Sequence, residues 1–364
     1  MQMRSGRLMR SSLLAFLALN LLLGVAKAQV ESVLHNFCAN NCTAANAGDG
    51  ADPIAGLVFD TAGNLYGTTY NGGEYGLGTV FKVTPSGKEK VLYTFRGAPD
   101  GASPYDRLLP DRRGNLYGTT SSGGAYNGGT IFKITPSGKE SVLYSFCAQS
   151  NCTDGAAPVA GLVFDTEGNL YGTTLRGGAY AGCGIEYGYG CGTVFKVTPS
   201  GKESVLYNFC AQSGCSDGES PYSTLIFDAK ENLYGTTLAG GDYGGPTSGG
   251  TVFKVTLSGK ESVLHSFCEQ SQCADGADPY AGLVFDRKGN LYGTTQWGGV
   301  GGGTVFKITR SGKESVLYNF CGQSNCSDGL APNGGLIFDK KGNFYGTTYW
   351  GGAYAAGVVF KLVP

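Results

Sequence analysis

The sequence predicts an all-β fold, a six-bladed β-propeller of four-stranded antiparallel blades whose ring is closed by the N-terminal strand of the mature chain. Three observations predict this fold. The phrase GLVFDTAGNLYGTT at residues 56–69 recurs along the chain, each copy belongs to a unit with four strand-like segments, and the chain begins with a segment that its last unit lacks. The further copies lie at residues 107–120, 161–174, 224–237, 282–295 and 335–348.

The N-terminus, residues 1–28, has the three regions of a secretory signal peptide. A basic start is followed by an apolar run at residues 11–26 and by the small-residue pattern Ala-Lys-Ala at 26–28. The apolar run is short for a membrane span, which needs about 20 residues. We therefore expect cleavage after residue 28, no membrane insertion afterwards, and a mature chain of residues 29–364 that is secreted, periplasmic or at the cell surface.

Composition and charge narrow the class of protein. Glycine accounts for 62 of 364 residues, more than twice the usual share of about 7%. Short runs of Val, Leu, Phe, Tyr and Thr alternate with Gly, Asn, Asp, Ser and Pro clusters, which is typical of all-β proteins. Signal cleavage lowers Lys+Arg from 27 to 23 against 28 Asp+Glu, a net charge of −5. A nucleic-acid partner is not expected, because the basic residues are scattered among acidic ones.

Each repeat unit is predicted to be one blade. Successive YGTT tyrosines are 51, 54, 63, 58 and 53 residues apart, about 56 on average, which is typical of a repeat array. In the third unit the predicted strands are residues 159–165, 169–174, 192–198 and 203–209. The D-x-x-G-N and T-P-S-G-K turns between strands favour antiparallel neighbours. The inner strand is apolar on both faces, as expected for sheets packed face to face around an axis.

The two ends of the chain favour a closed ring over an open array. The sixth unit stops at residues 358–364 without the ESVLYxF strand of the other units. Residues 31–37, ESVLHNF, supply that strand just after the signal. An open array would leave two unpaired sheet edges, which proteins usually avoid. The sequence therefore predicts that the N-terminal strand completes the last blade.

The repeated phrase YGTTxxGG…GTVFKVTPSGKE resembles the GloVer (Gloeo/Verruco) tandem-repeat family of exported bacterial proteins, and the resemblance covers nearly all of residues 31–364. At the level of the fold alone, GLVFD–NLYGTT is also similar to NHL-type and gluconolactonase-type propellers. The family resemblance implies export and a bacterial extracellular setting, and it brings no established activity. Members often end in an anchor, whereas this chain stops inside its last blade, so a soluble product is expected.

All twelve cysteines lie in the mature chain and are expected to form local disulfides. Four pairs share the frame F-C-x4-C, a shorter pair follows the N-terminal strand, and a sixth pair brackets an insertion in the third unit. Zinc is the alternative, but each site would need two pairs from different blades. The predicted bonds are Cys38–Cys42, Cys147–Cys152, Cys183–Cys191, Cys210–Cys215, Cys268–Cys273 and Cys321–Cys326.

No catalytic motif is evident, and no catalytic residue is assigned. The two histidines, His35 and His265, occupy the Tyr position of VLYxF and are expected to pack in outer strands. Two aspartates recur in every unit, one after the inner strand and one in Asp-Gly-x-x-Pro. Such carboxylates could hold Ca²⁺, but identical copies in every blade cannot all form one site, and turn formation explains them. No cofactor is otherwise expected.

The informative differences between the copies follow YGTT, in the loop from the second to the third strand. These loops are predicted to open on the face that carries the Cys loops between blades. Exposed aromatic rings with polar neighbours suit sugars or protein partners. We therefore expect a monomeric binding module for a glycan or an extracellular protein. The candidate ligand-binding residues are Tyr70, Arg176, Tyr180, Glu186, Tyr187, Tyr189, Trp297, Tyr349 and Trp350.

Two alternatives to a binding module stay open. One is an extracellular enzyme of the lyase or lactone-hydrolase type, with carboxylates and a metal in the axial channel. The other is a structural cell-surface protein. An enzyme predicts turnover that EDTA or loss of one channel aspartate abolishes, whereas a structural protein predicts neither turnover nor ligand binding.

Overall fold

In a computed structural model the chain forms a six-bladed β-propeller with antiparallel blades, which confirms the predicted fold class. The structure describes residues 33–38, 48–183, 190–243 and 249–363. The predicted signal peptide lies outside these residues. Within the described ranges, none of the helical segments has the length and apolar character that a bilayer-spanning helix requires.

The strands follow the repeat units in order, one blade to each unit. Blade 1 contains β1 (Val58–Phe59), β2 (Leu65–Thr69), β3 (Thr79–Val83) and β4 (Glu89–Thr94). Blade 2 contains β5 (Gly101–Pro104), β6 (Leu109–Pro110), β7 (Leu116–Gly123), β8 (Thr130–Ile134) and β9 (Glu140–Ser145). Blade 3 contains β10 (Val163–Phe164), β11 (Leu170–Thr174), β12 (Thr193–Val197) and β13 (Glu203–Asn208).

The second half of the chain repeats the pattern. Blade 4 contains β14 (Glu219–Pro221), β15 (Ile226–Phe227), β16 (Leu233–Ala239), β17 (Thr251–Val255) and β18 (Glu261–Ser266). Blade 5 contains β19 (Val284–Phe285), β20 (Leu291–Thr295), β21 (Thr304–Ile308) and β22 (Glu314–Asn319). Blade 6 contains β23 (Ile337–Phe338), β24 (Phe344–Thr347) and β25 (Val359–Leu362). Short 3₁₀ turns lie in the Cys loops, at Ser150–Cys152, Ser213–Cys215, Ser271–Cys273 and Ser324–Cys326.

The inner strands are shorter than the sequence predicts. In blade 3 the predicted strand at residues 159–165 is regular only over Val163–Phe164. The preceding backbone bonds to side chains of other blades instead of to a neighbouring strand. The N–H of Gly161 donates to the Asp106 carboxylate at 2.6 Å and to the Thr224 hydroxyl at 3.0 Å. This part of each inner segment therefore lines the axis.

Hydrophobic side chains hold successive blades together. Five buried clusters lie between blades 1 and 2, 2 and 3, 3 and 4, 4 and 5, and 5 and 6. In the first, Val80 and Phe95 of blade 1 meet Leu108 and Phe132 of blade 2. The Phe95 and Phe132 rings meet edge to face, with centroids 5.0 Å apart. Burial on both sheet faces explains why the sequence of these strands shows no polar face.

Closure of the ring by the N-terminal strand stays a prediction. Residues 33–38 are described without a strand, and Val359 of β25 is 80% exposed, whereas its five counterparts are fully buried. The N-terminal segment does contact blade 1 as an outer strand contacts the next blade. The Phe37 and Phe81 rings meet at 4.8 Å, and Nε2 of His35 lies 3.3 Å from Asp49.

Disulfide bonds are present at five of the predicted pairs, which confirms those predictions. They join Cys147–Cys152, Cys183–Cys191, Cys210–Cys215, Cys268–Cys273 and Cys321–Cys326. The sixth predicted pair involves Cys42, which lies outside the described residues. Disulfides persist in oxidising compartments, so these bonds indicate an extracellular location.

Candidate functional site

The loops after YGTT and the Cys loops lie together, as predicted for one face of the propeller. In blade 3 the N–H of Gly178 donates to the carbonyl of Cys152 at 2.9 Å. The same bond, also 2.9 Å long, joins Gly241 to Cys215, Gly299 to Cys273 and Gly352 to Cys326. The Gly residues allow this approach: a Cβ on Gly177 would come 2.6 Å from the Cys152 carbonyl oxygen. We call this surface the loop face.

Trp297, Tyr349 and Trp350 are exposed on rigid backbone of the loop face. Their exposed fractions are 43%, 59% and 49%. Trp297 exchanges two backbone hydrogen bonds with Ala277, at 2.9 and 3.0 Å, and Trp350 exchanges two with Leu330, both 2.9 Å. The backbone is thus fixed while the rings face solvent, and the Tyr349 and Trp350 rings meet edge to face at 4.6 Å.

The other candidate residues are placed differently. Tyr70 is half-buried, and its ring meets that of Tyr105 at 5.9 Å. Arg176 is half-buried and pairs through its backbone with Ala156, whereas Tyr180 is exposed. The remaining candidates, Glu186, Tyr187 and Tyr189, lie outside the described residues.

The aspartate of each Asp-Gly-x-x-Pro element fixes a loop. In the loop after β9, one oxygen of Asp154 accepts from the Tyr144 hydroxyl at 2.7 Å and from the N–H of Ala148 at 2.9 Å. Its other oxygen accepts from the N–H of Gln149 at 3.1 Å. His265, in the Tyr position of its strand, bonds Asp275 at 3.2 Å. These contacts give the repeated aspartate and the histidine structural roles.

The aspartate after each inner strand fixes the first turn of its blade. The Asp165 carboxylate accepts from the N–H and side-chain amide of Asn169, at 2.8 and 2.6 Å, and from the Tyr171 hydroxyl at 3.0 Å. Burial opposes ionisation of Asp165, but these hydrogen bonds outweigh it and lower the pKa of the carboxyl group. The tyrosine of YGTT is thereby tied to the turn that precedes it.

A cavity of about 470 Å³ lies on the axis, and the inner segments of all six blades line it. Each segment begins with a non-glycine residue in the left-handed conformation, followed by proline. Its φ lies between 53° and 57° in every blade, a strained geometry that persists only where the surrounding structure holds it. These residues are Asp52, Ser103, Ala157, Ser220, Asp278 and Ala331.

Polar side chains converge on this axis from blades that are not neighbours. The Asp106 carboxylate of blade 2 accepts from the Thr224 hydroxyl of blade 4 at 2.6 Å. The Tyr222 ring meets Tyr105 at 5.7 Å and Tyr280 at 5.1 Å. Burial, followed by a hydrogen bond to Tyr105, raises the pKa of the Tyr222 hydroxyl. Because Tyr70 meets Tyr105, the row of rings continues from the axis to the loop face.

Sequence reasoning missed these axial residues, although a signal was present. The position after the repeated proline of each unit is apolar in blades 1 and 3, at Ile54 and Val159, but tyrosine in three other blades. Comparing the copies at that position would have found them. Among the described lining residues, Asp106 is the one carboxylate, so the predicted channel carboxylates reduce to a single group.

One described group has the ligand types of a metal site. Single ligand atoms of Cys183, Cys191, Cys210 and Glu219 lie within 4.8 Å of one another. All three cysteines are disulfide-bonded, and the metal ligand in such sites is a thiolate. In the disulfide form the three cysteines therefore pack in the core between blades 3 and 4.

Solved structures that are similar to this chain include three proteins at low sequence identity. A luciferin-regenerating enzyme is 15% identical, with a TM-score of 0.50 over 86% of this chain and 92% of that chain. A candidate gluconolactonase is 14% identical, with a TM-score of 0.45 over 87% and 92%. PorZ, a bacterial surface component of the type-IX secretion system of Porphyromonas gingivalis, is 13% identical, with a TM-score of 0.49 over 84% and 38%. At such identities the likeness concerns the fold alone.

No curated protein matches the chain significantly. The family model described as Gloeobacter/Verrucomicrobia repeat matches residues 26–244 and 183–364. These two matches together span every blade and include the repeated phrase and the Cys loops. The chain therefore belongs to the Gloeobacter/Verrucomicrobia repeat family.

Proposed function

We propose that this protein is an exported binding module that takes a glycan on its loop face. The observation that carries the proposal is the exposure of Trp297, Tyr349 and Trp350, with the backbone of both tryptophans fixed by paired hydrogen bonds. A rigid ring offers an apolar face at little cost in conformational entropy. Loops held by a rigid scaffold are a common place for binding residues.

A glycan fits this surface better than a protein partner does. Each tryptophan is followed by two glycines, so no large side chain follows its ring in the chain. A sugar covers one such ring with its C–H face, whereas a specific protein interface needs about 800 Å² on each side. The two tryptophans lie in neighbouring blades, so one glycan chain could contact both.

Export is supported by the chain and by its family. Disulfide bonds at five described pairs require an oxidising compartment in which to persist. The N-terminal sequence has the pattern of a cleaved signal. N-terminal sequencing of the secreted protein should therefore begin at residue 29, and a product that retains residues 1–28 would contradict cleavage.

The binding test is a polysaccharide screen with the mature chain, residues 29–364. The Trp297→Ala/Trp350→Ala double variant should bind the retained polysaccharide about 30-fold more weakly, because each ring contributes about 1 kcal/mol. Its melting temperature should be unchanged, since both rings are exposed. Leu257→Ala is the matched control, because Leu257 is exposed in a turn between the third and fourth strands of blade 4, on the opposite face.

Three outcomes would contradict the proposal. The mature chain binds no polysaccharide, the double variant binds as well as the parent, or the control loses as much affinity as the double variant. Capture of a protein that the double variant fails to capture would assign the same face to a protein ligand instead.

A further inference from the structure

We propose that the axial cavity is a second binding site, for a single hexose-sized polyol, between Tyr105, Asp106, Tyr280 and Asn333. These four side chains come from blades 2, 5 and 6 and line the same cavity. The site does not depend on the glycan proposed for the loop face. Its volume of about 470 Å³ lies within the usual range for small-molecule pockets, about 300–1,000 Å³.

The repeat provides an internal comparison for these residues. Blade 3 carries Val159 and Ala160 where blade 2 carries Tyr105 and Asp106. A blade can therefore close around the axis with small apolar residues at both positions. Tyrosine and asparagine are not required by the scaffold there, which suggests that they serve a ligand. Asp106 has a scaffold role as well, because it holds Gly161 and Thr224.

Asn333 supplies an acceptor without a partner. Its side-chain oxygen is buried and accepts no hydrogen bond from the described residues. A buried acceptor left unsatisfied costs about 1–3 kcal/mol, so a turn of this amide that presents the oxygen to a ligand hydroxyl in the cavity would remove this cost. Its counterparts in the other blades are Ile54, Tyr105, Val159, Tyr222 and Tyr280.

Asp106 supplies a second acceptor, held in a fixed orientation. One of its oxygens accepts from the N–H of Gly161 and from the Thr224 hydroxyl, both at 2.6 Å, and the other accepts from the N–H of Arg107. No described Lys or Arg side chain pairs with this carboxylate. A carboxylate has about four acceptor sites, so capacity remains for a ligand hydroxyl.

The tyrosines favour a polyol over a cation. Three rings beside a carboxylate also resemble a site for an alkylammonium ion. Such an ion would leave the Asn333 oxygen without a donor, and the positively charged Arg107 belongs to the same lining. A polyol satisfies both kinds of group, because its hydroxyls donate and accept while its C–H face covers a ring.

The test uses the mature chain with D-glucose, D-galactose, D-mannose and myo-inositol, one at a time, in saturation-transfer NMR and calorimetry. Asn333→Val copies Val159 and should weaken binding about three- to tenfold, the loss of one hydrogen bond. Tyr280→Val places the residue of Val159 at the equivalent position of blade 5 and should also weaken binding. Thermal melting identifies any variant that fails to fold.

The outcomes separate this site from the loop face. The axial site is supported if at least one of the four compounds binds, if the Trp297→Ala/Trp350→Ala variant still binds it, and if Asn333→Val binds it more weakly. The proposal is overturned if none of the four compounds binds, if tetramethylammonium binds in their place, or if Asn333→Val leaves binding unchanged. Loss of binding in the tryptophan variant alone would assign the compound to the loop face.

Discussion

At the scale of single residues, the repeated phrase is a set of contacts that every blade needs. In blade 3 the Asp165 carboxylate holds Asn169 and the hydroxyl of Tyr171. The hydroxyls of Thr174 and Thr193 bond across β11 and β12 at 2.9 Å. Gly172, also on β11, lies beneath the ring of Phe195. The phrase recurs because these contacts belong to the blade, not to a shared site.

Gly172→Ala tests this explanation of the phrase. An added Cβ would meet the Phe195 ring at 2.6 Å and the Leu162 side chain at 3.1 Å. We expect a loss of about 1–3 kcal/mol in the free energy of unfolding, as for other overpacked cores. Gly335→Ala is the control, because a Cβ at Gly335 meets nothing within 4 Å. Equal stability of the two variants in denaturant unfolding would show that the packing argument is wrong.

At the scale of elements, each outer strand brings a glutamate against the preceding blade. Burial raises the pKa of Glu203 to about 7, and the negative charge of Asp154 adds to the effect. One oxygen of Glu203 is buried without a hydrogen bond among the described residues. Glu140, Glu261 and Glu314 have the same pKa of about 7 from the same main cause. Nearby charges also act on each of them. Asp100 and Arg96 act on Glu140, and Asp217 acts on Glu261. His265, Asp275 and Glu269 act on Glu314.

These glutamates predict that stability falls as the pH rises from about 4.5 to 7. The folded state holds their protons more tightly than the unfolded chain, whose glutamates titrate near 4.5, so it binds more protons in that window. Asp60 and Asp339 act in the opposite sense: hydrogen bonds lower their pKa to about 2, and their contribution is lost only as the pH falls below about 4. The melting temperature should therefore be highest near pH 4.5.

Glu203→Gln isolates one element of this pH dependence. A neutral amide replaces the protonated acid, so the variant should melt higher than the parent at pH 7.5 and nearly alike at pH 5. Glu167→Gln, at an exposed turn, is the matched control and should follow the parent. A melting temperature that rises steadily from pH 5 to pH 7.5 in the parent would refute the account.

The sequence predicted strands well where residues close in the chain specify them. The second, third and fourth strands of blade 3 agree with prediction to within one residue, because hydrophobic pattern and turn residues specify them. The inner strand was predicted too long, because the backbone partners of Gly161 come from Asp106 and Thr224, which lie far away in the chain. Long-range partners of this kind leave no local pattern.

At the scale of the whole molecule, the account depends on a ring of blades around one axis. The axial cavity is lined from all six blades, and buried clusters join blades 1 to 6 in succession. The loop-face aromatics could be chosen from the sequence because neighbouring glycines mark their loops. The sequence could not show that the axial residues form one site, because only the arrangement of blades around the axis brings blades 2, 4, 5 and 6 to one place.

Residues 31–37 are expected to seal this ring as the fourth strand of blade 6. The edge of β25 carries no partner among the described residues, and Val359 is exposed. In blade 3 the outer strand pairs Lys196 with Ser204. The same register in blade 6 places Ser32 opposite Lys361. Side chains at these two positions would then lie on one face of the sheet, close enough for a disulfide.

Cross-linking of the mature chain carrying Ser32→Cys and Lys361→Cys tests ring closure most directly. Mass mapping after mild oxidation should show a bond between positions 32 and 361 in monomeric protein. The Val33→Cys/Lys361→Cys control should not cross-link, because neighbouring residues of a strand point to opposite faces. A closed six-bladed propeller predicts the bond in the first variant only; its absence there, or equal cross-linking in both, would contradict the closed ring.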